Sequence, residues 1–205
     1  LMEVDSFLTG KRAVSLPFTD FCQITGNQEE QFKDLLREAI RYGSKLHWKY
    51  IEIRSPTAPL PYPDCYSQYF THTLDLTNGV QQTFSRFRSS VKRNIKKADK
   101  QGVKVRLRHS IEALHSYYDM HVATRKRHGL PPQPFKFFTK LHEHLLSKGK
   151  GFIALAHYNS EAIAGGVYLQ FGNEAIYKYG ASKREYQYLR ANNSVMWEAI
   201  KLCIH

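Results

Sequence analysis

Apolar and polar positions along this chain follow two rhythms, and the places where one gives way to the other mark its elements. Residues 28–42 carry Phe32, Leu35, Leu36, Ala39 and Ile40 at three- and four-residue steps, a spacing that gathers apolar side chains on one face of a helix. On either side, 11–18 and 46–54 follow the two-residue period of strands, most clearly where Trp48, Tyr50 and Glu52 interleave with Ile51 and Ile53. Four prolines in 55–65 deny that stretch the N–H groups a helix interior or central strand requires, so it reads as a loop. Residues 68–76 return to extended character.

From Asn78 the rhythm is helical again. Phe84, Phe87, Val91, Ile95 and Ala98 form one stripe, with Arg88, Lys92, Arg93, Lys96, Lys97 and Lys100 on the opposite half. With Asn78 as N-cap, Gln81 three residues on and Gly102 as the closing residue, the pattern predicts one helix from 78 to about 101. A strand over 103–107 follows. Ser110 then caps a helix ending near His128-Gly129, and a further helix covers 135–148 with Phe138, Leu141 and Leu145 in register. Three strands, 152–158, 162–171 and 174–180, are joined by turns at Asn159-Ser160 and Gly172-Asn173, an antiparallel meander. Asn192 or Asn193 caps a last helix with Val195, Met196, Ala199, Ile200 and Cys203 on one face. Gly165-Gly166 in mid-strand calls for a bulge or a close backbone approach. Tyr177 and Tyr179, two apart, are expected on one face of their strand and Lys178 on the other, where paired phenols can meet a ligand.

Composition narrows the class. With 205 residues, 42% of them hydrophobic and 13% aromatic, the chain has material for a packed core and is not a disordered basic tail. No run approaches the roughly 18 apolar residues of a membrane span, and no apolar stretch at the start resembles a signal peptide. Cys22, Cys65 and Cys203 are too few and too far apart for a disulfide framework or a zinc site. These features predict a soluble, cytoplasmic protein.

Charge changes the picture more. The net charge is +12, and ten Lys or Arg against Asp99 alone fall between Phe84 and His109. A surface helix usually mixes signs to gain i,i+4 pairs. A field this concentrated instead attracts phosphates, RNA or an anionic membrane surface. There is no GxSxG elbow, no GxxxxGK[ST] loop and no strand-GxGxxG-helix fingerprint. His142 and His144 are two apart on a helix, and His115 and His121 six apart, so neither pair suits chelation and no metal site is expected.

The segment 176–204, with Tyr177, Tyr179, Gly180, Ala181, Ser182, Asn192, Asn193, Trp197, Glu198, Ala199, Ile200 and Lys201 in order, resembles the FemABX family within the wider group of GNAT-fold acyltransferases. The basic run from Arg88 to Val103 and the helix end at Thr124, Arg127, His128 and Gly129 agree with it, as does Leu16-Pro17-Phe18. The resemblance implies an α+β chain: a GNAT-like mixed or antiparallel sheet flanked by helices over 79–205, preceded over 1–78 by part of a related domain. It also implies further chain at both ends in complete members.

The same resemblance implies transfer of an aminoacyl or acyl group, from aminoacyl-tRNA or another acyl donor, onto an amine of a cell-envelope precursor. That precursor would belong to peptidoglycan or exopolysaccharide assembly, with possible peripheral contact at the membrane surface. In this reading Lys92, Arg93, Lys96 and Lys97 meet phosphates, Tyr177 and Tyr179 line the acceptor pocket, Arg127 and His128 stand at its mouth, and Tyr179 and His128 are the catalytic candidates. His128 is the candidate base because an imidazole titrates near neutrality. No cofactor is expected. The connection from Ser182 to Asn193 lacks glycine, whereas a glycine-rich turn before a helix cradles the pyrophosphate of CoA, so a tRNA-borne donor fits better. In the loop after Gly129, Gln133, Lys136 and two phenylalanines stand where murein-bridge enzymes offer an arginine and a tyrosine. A CoA-dependent N-acetyltransferase and a non-enzymatic module binding RNA or a membrane surface are the competing readings.

Overall fold

The computed structural model describes residues 1–7, 9–22, 29–55, 67 and 69–204. They form two compact units, Leu1–His72 and Thr73–His205. In the first, β1 (Met2–Val4), β2 (Arg12–Val14), α1 (Glu29–Lys45) and β3 (Ile51–Glu52) build a three-stranded sheet with β2 in the centre. β2 runs antiparallel to β1 and parallel to β3. A parallel pair needs a crossover, and α1 supplies it.

Both strands of that pair are shorter than their alternation predicts. Phe18 turns left-handed at φ 68° and His47 at φ 58°, which ends the extended run after β2 and delays the one before β3. Trp48 closes the α1 turn instead, its N–H donating to the Gly43 carbonyl at 2.9 Å and its indole to Glu3 Oε2 at 2.5 Å. The proline-rich loop, apart from Ser55, and Cys65 lie outside the described residues.

The second unit comprises α2 (Gly79–Ser85), α3 (Ser89–Lys100), β4 (Lys104–Arg108), α4 (Ile111–Arg127), α5 (Phe135–His144), β5 (Gly151–Tyr158), β6 (Glu161–Phe171), β7 (Glu174–Ser182) and α6 (Ala191–Ile204). Its strands run β4-β5-β6-β7, each antiparallel to its neighbour. Helices cover both faces of this sheet. On one, α3 and α6 pack Ala98, Val195 and Ala199 against Phe152, Ala154 and Tyr168. On the other, α4 and α5 pack Leu114, Tyr117, Met120 and Phe138 against Ile153, Leu155 and Val167. β5 is apolar on both faces because both faces are covered. The observed fold is the α+β, helix-flanked sheet the sequence predicts.

Three local expectations differ. The single helix over 78–101 breaks at Arg86–Arg88, where Arg88 is extended (φ −56°, ψ 146°). The break lets Phe84 and Phe87 close on the same Trp197 ring, with centroids 5.0 and 5.3 Å away. Asn78 does not cap α2 with its side chain; its amide donates to Asp75 Oδ2 at 3.2 Å. Among the described residues, 69–76 join no sheet, and Tyr69 and Phe70 are almost fully exposed. The Asn159-Ser160 turn is as read: both residues take positive φ, the geometry of a two-residue hairpin.

Candidate functional site

β7 holds the chemistry-bearing tyrosines, and a bulge decides where they point. Val167 pairs with Tyr179 but Tyr168 pairs with Tyr177, which leaves Lys178 as the extra residue. One inserted residue resets the alternation. Tyr177 therefore lies on the α3/α6 side, its ring centroid 5.2 Å from Tyr168. Tyr179 lies on the α4/α5 side among His121, Phe137 and Phe138, at 6.1, 6.3 and 5.4 Å. The expectation that both phenols share a face is corrected.

The glycine pair has its explanation beside this bulge. A Cβ on Gly165 would meet Leu155 Cδ2 at 2.8 Å and Tyr117 on one face, and a Cβ on Gly166 would meet Tyr168 and Tyr177 at 2.9 Å on the other. Close approach and bulge occur together.

Where β7 ends, three elements converge on Ser182. Thr124 of α4 accepts a hydrogen bond from the Ser182 N–H at 3.3 Å and donates to its carbonyl at 3.4 Å. Arg127 Nη1 donates to the same carbonyl at 3.4 Å, and Asn192 Nδ2 of α6 donates to the Ser182 hydroxyl at 3.4 Å. Arg127 is thus turned onto the backbone of β7.

Beyond Ser182 a 3-10 turn (Arg184–Leu189) leads into α6, and Arg190 at φ 60° makes the left-handed step before the helix. Asn192 and Asn193 sit inside the first helical turn, not before it as expected. Glu161 pins the turn, accepting from Tyr186 Oη at 2.6 Å and pairing with Lys183 Nζ. These contacts hold the Glu161 carboxyl below the usual carboxylate range, the Lys183 hydrogen bond foremost. Ser182, Lys183, Gln187, Arg190 and Asn193 border a cavity of about 150 Å³ at the α6 N-terminus. That is smaller than the roughly 300–1,000 Å³ of whole-ligand pockets. Arg190 and a helix N-terminus suit it to an anionic group, with Lys183 beside them paired to Glu161.

His128 is exposed at the C-cap of α4, its backbone N–H bonded to Thr124 and Arg125 carbonyls. The ring beside Tyr179 is that of His121 instead, which the sequence reading passed over except as a metal ligand. His121 Nε2 meets Gln133 Oε1 at 2.8 Å and its Nδ1 faces Tyr117 Oη at 3.5 Å. Burial, ahead of other causes, pushes its pKa below the usual imidazole range. Burial pushes the Tyr177 phenol up. The available signal was helical spacing: His121 follows Tyr117 by four residues on the face of α4 that Leu114 occupies.

On the outer face of α3, Lys92, Arg93, Lys96, Lys97 and Lys100 border a shallow groove of about 540 Å³. Lys92 is tied back, its Nζ donating to the Ser85 carbonyl at 2.6 Å and lying 5.9 Å from the Phe84 ring. Arg93, Lys96 and Lys97 are exposed. α3 packs against α6 and against the turn that precedes it.

Among the described residues no three His, Cys, Asp or Glu side chains gather as a metal site. None of the described helices is long and apolar enough to cross a membrane.

A four-stranded antiparallel sheet thus lies between helix pairs, and its bulged last strand leads through a 3-10 turn to the N-terminus of a helix. Residues 85–205 match the acetyltransferase (GNAT) domain, and the chain belongs to that family. The crystal structure of FemX is similar in fold, with a TM-score of 0.57 at 13% sequence identity, over 62% of this chain and 48% of FemX. The chain therefore spans about half the length of FemX. Comparison with curated proteins found no match.

Proposed function

We propose that this chain transfers an aminoacyl or acyl group onto an amine of a cell-envelope precursor, in peptidoglycan or exopolysaccharide assembly, on the cytoplasmic side. The observation that carries the reading is the grip of Thr124, Arg127 and Asn192 on Ser182, which fixes the end of β7 beside an anion-suited cavity. Positioning of this kind supplies much of the rate of a two-substrate transfer.

The neutral amine attacks the donor's carbonyl carbon. A C–N bond forms, the C–O or C–S bond to the carrier breaks, and the amine's proton is lost. β7 borders only β6 among the described residues, and backbone N–H groups along its outer edge donate to the oxyanion. Lys183 and Arg190 meet an anionic group of the donor. Arg93, Lys96 and Lys97 meet its outlying phosphates, with Lys92 held nearer the helix stem. Tyr177 lines the acceptor side, and Tyr179 supports β7 from the opposite face. His128, exposed at the end of α4, takes the proton. Arg127 acts through Ser182 as a positioning residue.

Transfer of a labelled aminoacyl group from aminoacyl-tRNA, or of an acyl group from acyl-CoA, to amine-bearing envelope precursors tests the reading. Product with the tRNA donor is expected. Stabilisation by CoA together with transfer from acyl-CoA alone replaces the donor, and no transfer from either donor by the folded chain overturns the function.

A further inference from the structure

One group of cations in this unit, on β4, is unused by the transfer reading. β4 is an edge strand whose other side faces no strand among the described residues. Val105 and Leu107 turn into the core shared with α3 and α6. Lys104, Arg106 and Arg108 pair across to His157, Leu155 and Ile153, so they project from the opposite face. That face carries α4 over β5, β6 and β7, and all three cations are exposed.

Alternate residues of a strand repeat at about 6.8 Å. The three cations therefore leave an open edge from alternate backbone positions. Lys104 has a 3.5 Å contact with Asp99, both side chains well exposed. Arg108 reaches only its neighbouring Leu107 carbonyl at 3.0 Å, and no carboxylate faces either arginine among the described residues. The row's field is felt next door. Burial first, and then Arg106, hold His157 below the usual imidazole range.

Surfaces that dock on lipid combine cations with apolar anchors. Here the exposed Phe171, Ile176 and Tyr177 lie at the far edge of the sheet, on β7 and the end of β6. A row of regularly spaced guanidinium and ammonium groups, beside free edge N–H donors, suits a regular polyanion with phosphates in line. We propose that β4 is a binding face for an RNA backbone, with successive phosphates of one strand on Lys104, Arg106 and Arg108. The inference goes beyond the transfer reading, because Arg106 and Arg108 project on the α4 side of the sheet, opposite α3, and Lys104 opens the same strand with its ammonium 3.5 Å from Asp99 of α3.

Fluorescence anisotropy of the full chain with a labelled single-stranded oligoadenylate, titrated from low to physiological salt, provides the test. Replacing all three cations (K104A/R106A/R108A) is expected to weaken binding on the order of tenfold or more and to lower the slope of log K against log salt by about 2. The charge-keeping R106K/R108K variant is expected to hold the slope. In the wild-type chain, bound RNA is expected to protect Lys104 from amine acylation while Lys126 stays reactive, a readout independent of variant folding. Unchanged affinity and slope in the triple variant, or no protection of Lys104, overturns the proposal. So does equal loss of binding to phosphatidylserine vesicles, which assigns the face to lipid. Loss of RNA binding with transfer intact separates this face from the transfer site.

Discussion

The hydroxyl of Tyr177 occupies the position that a Cβ on Gly180 would take, and the tyrosine ring lies flat over the Gly166–Gly180 pair of β6 and β7. Small residues at these two cross-strand positions hold the ring there. Gly180→Ala forces the phenol off the strand and is expected to cost about 1–3 kcal/mol. Tyr177→Phe removes the clashing oxygen and should restore part of that loss. A thermal-melt double-mutant cycle measures the coupling; additive losses refute the packing account.

His121 gives the fold a pH dependence of known sign. Its folded pKa lies below the ordinary 6.5 because burial penalises the charged ring. The unfolded chain therefore binds the extra proton first. Stability is complete above about 6.5 and falls as pH drops from there toward the depressed folded value. His157 is shifted in the same direction, so His121→Gln is expected to reduce, not abolish, the acid-side loss of melting temperature. An unaltered pH profile in that variant contradicts a neutral His121 in the fold.

Trp197 ties α6 to the segment bearing the cations, through Phe84 and Phe87. Trp197→Ala is expected to cost about 3–5 kcal/mol, read by denaturant unfolding. Trp197→Phe should cost less, because an aromatic face remains for both phenylalanines.

Thr124 bonds both backbone groups of Ser182. Thr124→Val keeps the side-chain shape and removes both bonds, at about 1–3 kcal/mol of stability. Under the proposed function, transfer should fall on the order of tenfold to a hundredfold through kcat, with donor KM nearly unchanged. A change confined to KM points to a binding role for this contact.

On α3, Arg93, Lys96 and Lys97 stand exposed on the face that borders the groove. Replacing all three with Ala is expected to raise the donor KM and flatten its salt dependence while kcat holds. An unchanged salt response removes phosphate contact from this helix.

Much of this architecture is written in local periodicity. The three- and four-residue steps of Phe138, Leu141 and Leu145, the strand rhythm within each of 152–158 and 162–171, and the one-sided charge of Lys96 and Lys97 each belong to a short stretch of chain. Ser110 capping α4 through Ala113 N at 3.3 Å is local in the same way. Such features follow from backbone geometry and from which side chains water rejects, so the residues alone determined most of the elements, the antiparallel meander and the cationic face.

Tertiary contacts decided the rest. The bulge at Lys178 separates Tyr177 from Tyr179 because each ring finds its own packing partners, Tyr168 on one face and Phe138 on the other. The break at Arg86–Arg88 serves Trp197, more than a hundred positions along the chain. Thr124 meets Ser182 across 58 residues. Periodicity records what one stretch of backbone prefers. Bulges, kinks and the meeting of distant side chains are settled only when whole elements compete for the same core, since their free energy comes from groups the local sequence does not contain.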